Sequence, residues 1–176
     1  MKLRSIFLAC ATALLSSQAM AQQAQYALVY DGGGKFDRSF NQSAYEGAER
    51  FKKDTGLTYI DVQALSSVQG EQVLRNLARK GVKLIAAIGF THAQQVQTVA
   101  KEFPNTKFVV VDGSAAGANV GSILFKEQEG SYLVGMAAAM ASKTKKIGFI
   151  GGIDVPLIRA FACGYAQGAK AIDPKA

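Results

Sequence analysis

Short apolar segments alternate with amphipathic segments along most of this 176-residue sequence, and this alternation restricts the possible folds more than any other feature. Strands are predicted over residues 27–30, 57–62, 84–88, 108–111, 120–125 and 147–150. Between and after them, apolar residues recur at helical spacing and predict helices near 40–55, 73–80, 91–103, 128–141 and 156–171. Because such strands are buried on both faces, the pattern predicts an α/β fold with a mostly parallel sheet flanked by helices.

Residues at the segment boundaries predict where helices begin and end. Ser39 and Gln42 have the spacing of a capping box at the start of the first helix. Thr91 with Gln94 predicts a similar cap for the third helix. Gly56 is placed to end the first helix.

Residues 1–21 are typical of a secretory signal peptide. A basic start precedes an apolar stretch over 6–15, and the small residues at 19–21 (AMA) form a cleavage site. The apolar stretch is too short to span a bilayer. This segment predicts export to the periplasm, with lipid attachment at Cys10 as the minor alternative.

Composition argues against metal and nucleic-acid sites. The chain has 1 His and 2 Cys, too few for a Cys-rich zinc site or a disulfide framework, so we expect no metal and no cofactor. Its formal charge is +7, but the densest basic group, Lys143, Lys145 and Lys146, fits a solvated turn. We therefore expect no nucleic-acid partner. Cys163, the cysteine left after cleavage, is expected to be buried and inert.

Polar and aromatic residues that follow the predicted strands are candidate ligand contacts, because ligands of such sheets bind outside the carboxyl ends of the strands. These residues are Asp31, Phe90, Asp112 and Asp154. Carboxylates with an aromatic ring suit an uncharged ligand that has several hydrogen-bond donors better than an anion.

Motifs for phosphate binding and catalysis are incomplete. The segment 31–35 (DGGGK) lacks the glycine at 37 of a dinucleotide fingerprint and the Ser or Thr at 36 of a Walker loop. No Gly-x-Ser-x-Gly elbow is present, and His92 is expected in an exposed first helical turn. The strand-end aspartates can in principle act as an acid/base pair, but no nucleophile is evident beside them. We therefore expect a binding protein rather than an enzyme.

Three segments resemble the basic membrane protein family, which comprises substrate-binding proteins of ABC importers for purine nucleosides and related ligands. The segment 31–47 (DGGGKFDRSFNQSAYEG) resembles the opening signature of the family. Segments 125–135 (FKEQEGSYLVG) and 148–168 resemble later blocks in the same order. The resemblance covers most of residues 27–171, but only about the first half of a family member.

The resemblance implies a type I periplasmic binding protein-like fold that closes on its ligand by a hinge motion. Residues 22–121 would form a first lobe without its return segments, and residues 122–176 would form the start of a second lobe. The ligand would lie in the cleft between the lobes. The groups expected from the rest of the second lobe are missing from this chain, so we expect it to bind purine nucleosides weakly or not at all.

The resemblance also implies the ligand contacts and the partners. Phe40 would stack on the base of a purine nucleoside or related heterocycle, Asn41 would hydrogen-bond it, and Asp31 and Asp112 would lie at the cleft floor. The partners would be a small-molecule ligand and the permease of an ABC transporter, with membrane contact only through the permease. Two alternatives remain, a ligand-sensing subunit for a membrane receptor and, third in order, a nucleoside-processing enzyme.

Overall fold

Strands and helices alternate through the first two thirds of the structure, and two helices complete it. The computed structural model describes residues 24–64 and 66–175, so the predicted signal peptide and Cys10 lie outside the described residues. The elements are β1 (Tyr26–Tyr30), α1 (Phe40–Thr55), β2 (Tyr59–Gln63), α2 (Ser67–Arg79), β3 (Leu84–Ile88), a 3₁₀ turn (Phe90–His92), α3 (Ala93–Glu102), β4 (Lys107–Val111), β5 (Val120–Ile123), α4 (Glu127–Ala141) and α5 (Pro156–Ile172).

The five strands form one parallel sheet in the order β2-β1-β3-β4-β5. Helices α2 and α3 cover one of its faces. There, Val29, Ile85 and Val110 from the strands share a buried core with the helical residues Leu74 and Val96. This arrangement confirms the predicted α/β fold, since parallel strands covered by helices bury continuous apolar segments.

Helix α1 lies against the opposite face of the sheet. Alternate residues of a strand point to opposite faces, and Tyr26 of β1 packs edge-on against Phe51 of α1 with ring centroids 5.3 Å apart. Gly56 ends the helix in the left-handed conformation with φ 71°, as the sequence predicted.

The start of α1 is capped differently from the sequence prediction. One oxygen of the Asp37 carboxylate accepts hydrogen bonds from the backbone N–H groups of Ser39 (2.8 Å) and Gln42 (3.1 Å). The other oxygen accepts from the N–H of Asn41 (3.0 Å). The predicted capping box is wrong, because the Ser39 side chain makes no capping bond and Asp37 satisfies the amides that a helix start leaves free.

The chain after β3 winds into the 3₁₀ turn before α3 begins. The predicted cap by Thr91 and Gln94 is wrong, because His92 occupies the N-cap position and makes no side-chain capping bond. The turn also buries His92, which is only 2% exposed, so its predicted exposed position is wrong as well. The 3₁₀ turn brings the side chain of His92 inward. The prediction did not anticipate this, because it assumed regular helical spacing from Thr91 onwards.

Helices α4 and α5 form a closely packed pair after the sheet. A Cβ atom on Gly135 would overlap the carbonyl oxygen of Tyr165, and one on Gly168 would overlap that of Tyr132. The Ser131 hydroxyl also donates a hydrogen bond of 2.6 Å to a carbonyl of α5. The two backbones therefore approach each other at positions where only glycine fits.

Two predictions for the C-terminal part are wrong. Residues 147–150 form no strand, and Ile150 is 99% exposed. A strand requires a neighbour for its backbone hydrogen bonds, and none of the described strands pairs with this segment. Cys163 is exposed rather than buried, because the adjacent Gly164 turns the packed face of α5 towards α4.

The helical pair leaves apolar side chains on its surface. Leu133 is 65% exposed and Met140 is 72% exposed, both on α4. Among the described residues, the helices are all too short or too polar to cross a membrane.

Candidate functional site

The loops that follow β1, β3 and β4 meet at one edge of the sheet and bring Asp31, Phe90 and Asp112 to that edge. A Cβ atom on Gly89, which has φ 108°, would lie 3.0 Å from Asp31 Oδ2. One on Gly113 would lie 2.9 Å from the Cα atom of Phe90. Glycine at these two positions lets the three loops touch, so three of the predicted contact residues lie on one continuous rim.

Asp31 and Asn41 are joined directly in the glycine-rich loop. Asp31 Oδ1 accepts hydrogen bonds from the backbone N–H of Gly33 (3.0 Å) and from Asn41 Nδ2 (2.8 Å). The same Nδ2 donates to the carbonyl oxygen of Gly34 at 3.1 Å. Asn41 is 1% exposed, and its Oδ1 has no hydrogen-bond partner in the described part of the chain. Since both amide protons are used, Oδ1 is left as an unused hydrogen-bond acceptor.

The lysine of this loop is engaged elsewhere. Lys35 forms an ion pair with Asp61, and its ammonium group lies 4.5 Å from the ring centroid of Tyr45. It also lies 5.3 Å from the ring centroid of Phe36. A carboxylate and two aromatic faces therefore hold this cation, and that arrangement differs from a phosphate-binding lysine, which points into its loop.

Phe40 begins α1 immediately before Asn41. It is half-buried and is not part of the apolar core beneath α2 and α3. It lines a recess of about 450 Å³ together with polar side chains of the helix start, including Ser43 and Glu46. The ring therefore retains an accessible part, but among the described residues neither Asn41 nor Asp31 lines this recess.

Asp112 combines a strained backbone with a perturbed carboxyl group. Its φ of 63° is in the left-handed region, and its N–H donates to the carbonyl oxygen of Ile123 at 2.8 Å. Burial, and then the negative charge and hydrogen bonding of Glu127, raise the pKa of the Asp112 carboxyl. Asp112 is consequently easier to protonate than an exposed aspartate, and in that form it can donate a hydrogen bond.

Asp154 is placed differently from the other predicted contacts. It is exposed, in the loop before α5, and Arg159 binds it with two hydrogen bonds of 2.5 and 2.8 Å. Hydrogen bonding by this guanidinium lowers the pKa of Asp154. Among the described contacts, none joins Asp154 to Asp31, Phe90 or Asp112.

The structure adds His92 and Gln95 to the rim. With Asp31, Ser66 and Thr91 they line a recess of about 440 Å³. Sequence reasoning set His92 aside as exposed, although its position in the loop after β3 was a signal for this edge. Within residues 24–64 and 66–175, no group of three or more His, Cys, Asp or Glu side chains is arranged to hold a metal ion.

Known proteins match this chain over most of its length. The family model Bmp, described as ABC transporter substrate-binding protein PnrA-like, matches residues 24–176. The ABC transporter nucleoside-binding protein BmpA of Lactococcus lactis subsp. cremoris is 40% identical over 153 residues, which cover 83% of this chain and 43% of that protein. The CD4+ T-cell-stimulating antigen of Listeria monocytogenes is 38% identical over 156 residues, which cover 85% of this chain and 44% of that protein.

A solved structure shows the same architecture. The solute-binding protein of an ABC transporter system from Aeropyrum pernix superimposes with a TM-score of 0.75 at 32% identity. The match covers 85% of this chain and 44% of that one. The chain therefore spans less than half the length of the relatives it matches.

Proposed function

Because the chain belongs to the Bmp family of PnrA-like ABC transporter substrate-binding proteins, we propose that it is part of a periplasmic protein that captures a purine nucleoside or related heterocycle for an ABC importer. Family membership confirms the resemblance identified from the sequence, and the likeness to the Aeropyrum pernix protein confirms the periplasmic binding protein-like fold. Beyond family membership, the proposal has four parts: a nucleoside or related ligand, binding in a cleft between two lobes, a permease partner, and export directed by residues 1–21.

The observation that carries the proposal is the unpartnered Oδ1 of buried Asn41 beside the Asp31 carboxylate. This oxygen can accept a hydrogen bond from an N–H group on the edge of a heterocycle. Phe40, the preceding residue, supplies an aromatic face for the same ring. An offset stack contributes about 0.5–1.5 kcal/mol beyond the burial of the two surfaces.

The third strand-end residue, Asp112, supports the same type of ligand. As a carboxylate, Asp112 accepts hydrogen bonds from N–H or O–H groups of a ligand, as Asn41 Oδ1 does. Phe90 lies in the adjoining loop, and its backbone packs against Gly113.

The rim favours binding over catalysis. The one imidazole of the chain, His92, forms its described hydrogen bond with Gln95 and not with a hydroxyl or thiol that it could activate. We therefore propose that the ligand leaves this site chemically unchanged.

The test is ligand binding with a matched pair of aromatic variants. A reconstructed full-length version should show a thermal shift with inosine, guanosine or adenosine, and Phe40→Ala should lose it. The control is Phe36→Ala, which removes a 68% exposed ring from the same loop and should keep the shift. Absence of a thermal shift with every nucleoside, or an equal shift in the Phe40 variant, contradicts the proposal.

A further inference from the structure

The buried side chain of His92 has one ring nitrogen that makes no hydrogen bond in the described part of the chain. It is 2% exposed, and its Nε2 has no hydrogen-bond partner within the part of the chain that the structure describes. The side chain lines the recess of about 440 Å³ that Asp31 and the glycine-rich loop also border. A buried polar atom without a partner is unfavourable, and in native proteins it calls for an explanation such as a bound group.

The Gln95 amide fixes which nitrogen of His92 carries the proton. Gln95 Nε2 donates to the carbonyl oxygen of Thr91 at 3.3 Å, and because a carbonyl only accepts, this contact sets the orientation of the amide. Gln95 Oε1 then faces His92 Nδ1 at 2.8 Å. An amide oxygen also only accepts, so the proton lies on Nδ1. In its neutral form, the imidazole therefore presents Nε2 as an acceptor.

Helix α2 makes room for this amide. Gln95 is 6% exposed, and a Cβ atom on Gly70 of α2 would collide with Gln95 Oε1. The absence of a side chain at Gly70 thus lets α2 and α3 enclose the amide that orients His92. Packing between the two helices therefore holds the Gln95 amide in the orientation that faces His92 Nδ1.

The recess has a definite chemical preference. Its lining includes Asp31, Ser66 and Thr91, and among the described residues no lysine or arginine lines it. Without a cation, it does not suit an anionic group. The Asp31 carboxylate and the bare Nε2 of His92 both require donors.

We propose that His92 Nε2 accepts a hydrogen bond from an O–H or N–H group of the bound ligand, and that Gln95 is the positioning residue that selects, in the neutral imidazole, the tautomer with no proton on Nε2. This assignment rests on the proposed function, because it adds a specificity-determining residue to the same rim. In a nucleoside, the donor is either a ribose hydroxyl or an N–H group of the base.

The first test is the protonation state itself. The chain contains one histidine, so its imidazole ¹⁵N resonances are unambiguous. For the neutral form of the imidazole, we expect a spectrum with the proton on Nδ1 and none on Nε2. Gln95→Met should move the proton towards Nε2, whereas Gln94→Met, a change at the exposed neighbour, should leave it on Nδ1. A wild-type spectrum with the proton on Nε2 overturns the proposal.

The second test identifies the donor with inosine, hypoxanthine and ribose as probes. Titration of the ¹⁵N-labelled chain detects weak binding, and inosine should shift the Nε2 resonance. A matching shift with hypoxanthine assigns the donor to the base, and one with ribose assigns it to the sugar. His92→Phe and Gln95→Met should each weaken inosine binding about fivefold to tenfold, the effect of one hydrogen bond.

The outcomes separate this inference from the proposed function. Inosine binding that leaves Nε2 unmoved and persists in both variants overturns the role of His92 and leaves the proposed function intact. A shift of Nε2 with ribose but no binding of inosine or hypoxanthine supports the role of His92 and contradicts a nucleoside ligand. No response of Nε2 to any of the three probes, either in this chain or in the reconstructed full-length version, overturns the inference.

Discussion

The sheet region (26–123) and the helical pair (127–172) are stabilised in different ways. In the sheet region, side chains such as Leu74 are completely buried between helices and strands. In the helical pair, the closest contacts are between backbones, at Gly135 and Gly168, while large apolar side chains remain exposed. The stability of the sheet region therefore depends on buried side-chain volume. The stability of the helical pair depends on close backbone contact, which requires the absence of side chains at the interface.

The largest expected effect is the loss of buried volume in the sheet region. Leu74→Ala should lower the free energy of unfolding by about 2–5 kcal/mol, because it removes apolar contacts and leaves a cavity. Leu133→Ala is the control at a 65% exposed site, and it should change stability by less than about 0.5 kcal/mol. Urea unfolding measures both. Equal losses for the two variants would show that the regions do not differ in this respect.

The next effect comes from added volume in the helical pair. Gly168→Ala forces a methyl group against the Tyr132 carbonyl and should destabilise the pair by about 1–3 kcal/mol. Gly130→Ala is the matched control, since its Cβ would meet nothing within 4 Å, and it should stabilise α4 by about 0.5–1 kcal/mol. Amide hydrogen exchange resolves which region responds. A uniform loss of protection in the sheet would contradict the separation drawn here.

The smallest effect distinguishes, by its pH dependence, the carboxyl group of Asp112 at the rim from that of Asp37 at the start of α1. Burial and Glu127 raise the pKa of Asp112, so its contribution to stability is present below its ordinary pKa of 3.8 and is lost as pH rises through the raised value. Backbone N–H groups of Asn41, Gln42 and Ser39 lower the pKa of Asp37 despite the opposing effect of desolvation. Its contribution is present above the ordinary pKa and is lost as pH falls through the lowered value.

Asparagine variants separate these two effects. Asp112→Asn should flatten the decline of stability towards neutral pH, and Asp37→Asn should flatten the loss in acid. Urea midpoints across the acidic range measure both slopes. An Asp112→Asn profile that is parallel to the wild type at all pH values would rule out a raised pKa at this position.

The sequence predicted the central strands of the sheet well because their apolar residues form short continuous segments, which are a local signal. The continuous apolar segment 84–88 has the bounds of β3 as predicted, and Gly56 ends α1 as expected. The segment 147–150 has the same kind of pattern but no strand beside it among the described residues. An apolar run specifies burial, whereas its hydrogen-bond partners come from elsewhere in the chain.

Part of the candidate site was also predictable, because strand ends of parallel neighbours meet at one edge. This rule brought Asp31, Phe90 and Asp112 together correctly. It failed for His92 and for the cap of α1, since both depend on the path of a loop. Arg38 has φ 56° just before α1, and the 3₁₀ turn precedes α3, and neither conformation is evident from residue type alone.

The glycines at 89 and 113 have a consequence for redesign of this rim. Gly89 leaves room for the Asp31 side chain and Gly113 leaves room for the Phe90 backbone, so neither position tolerates a larger residue and the connected loops leave little room for insertions. Ligand preference at this edge is therefore open to change through the identity of the side chains that line it, and much less through loop length. An engineer who wants a new specificity would vary residues 90, 92 and 112 and keep the glycines fixed.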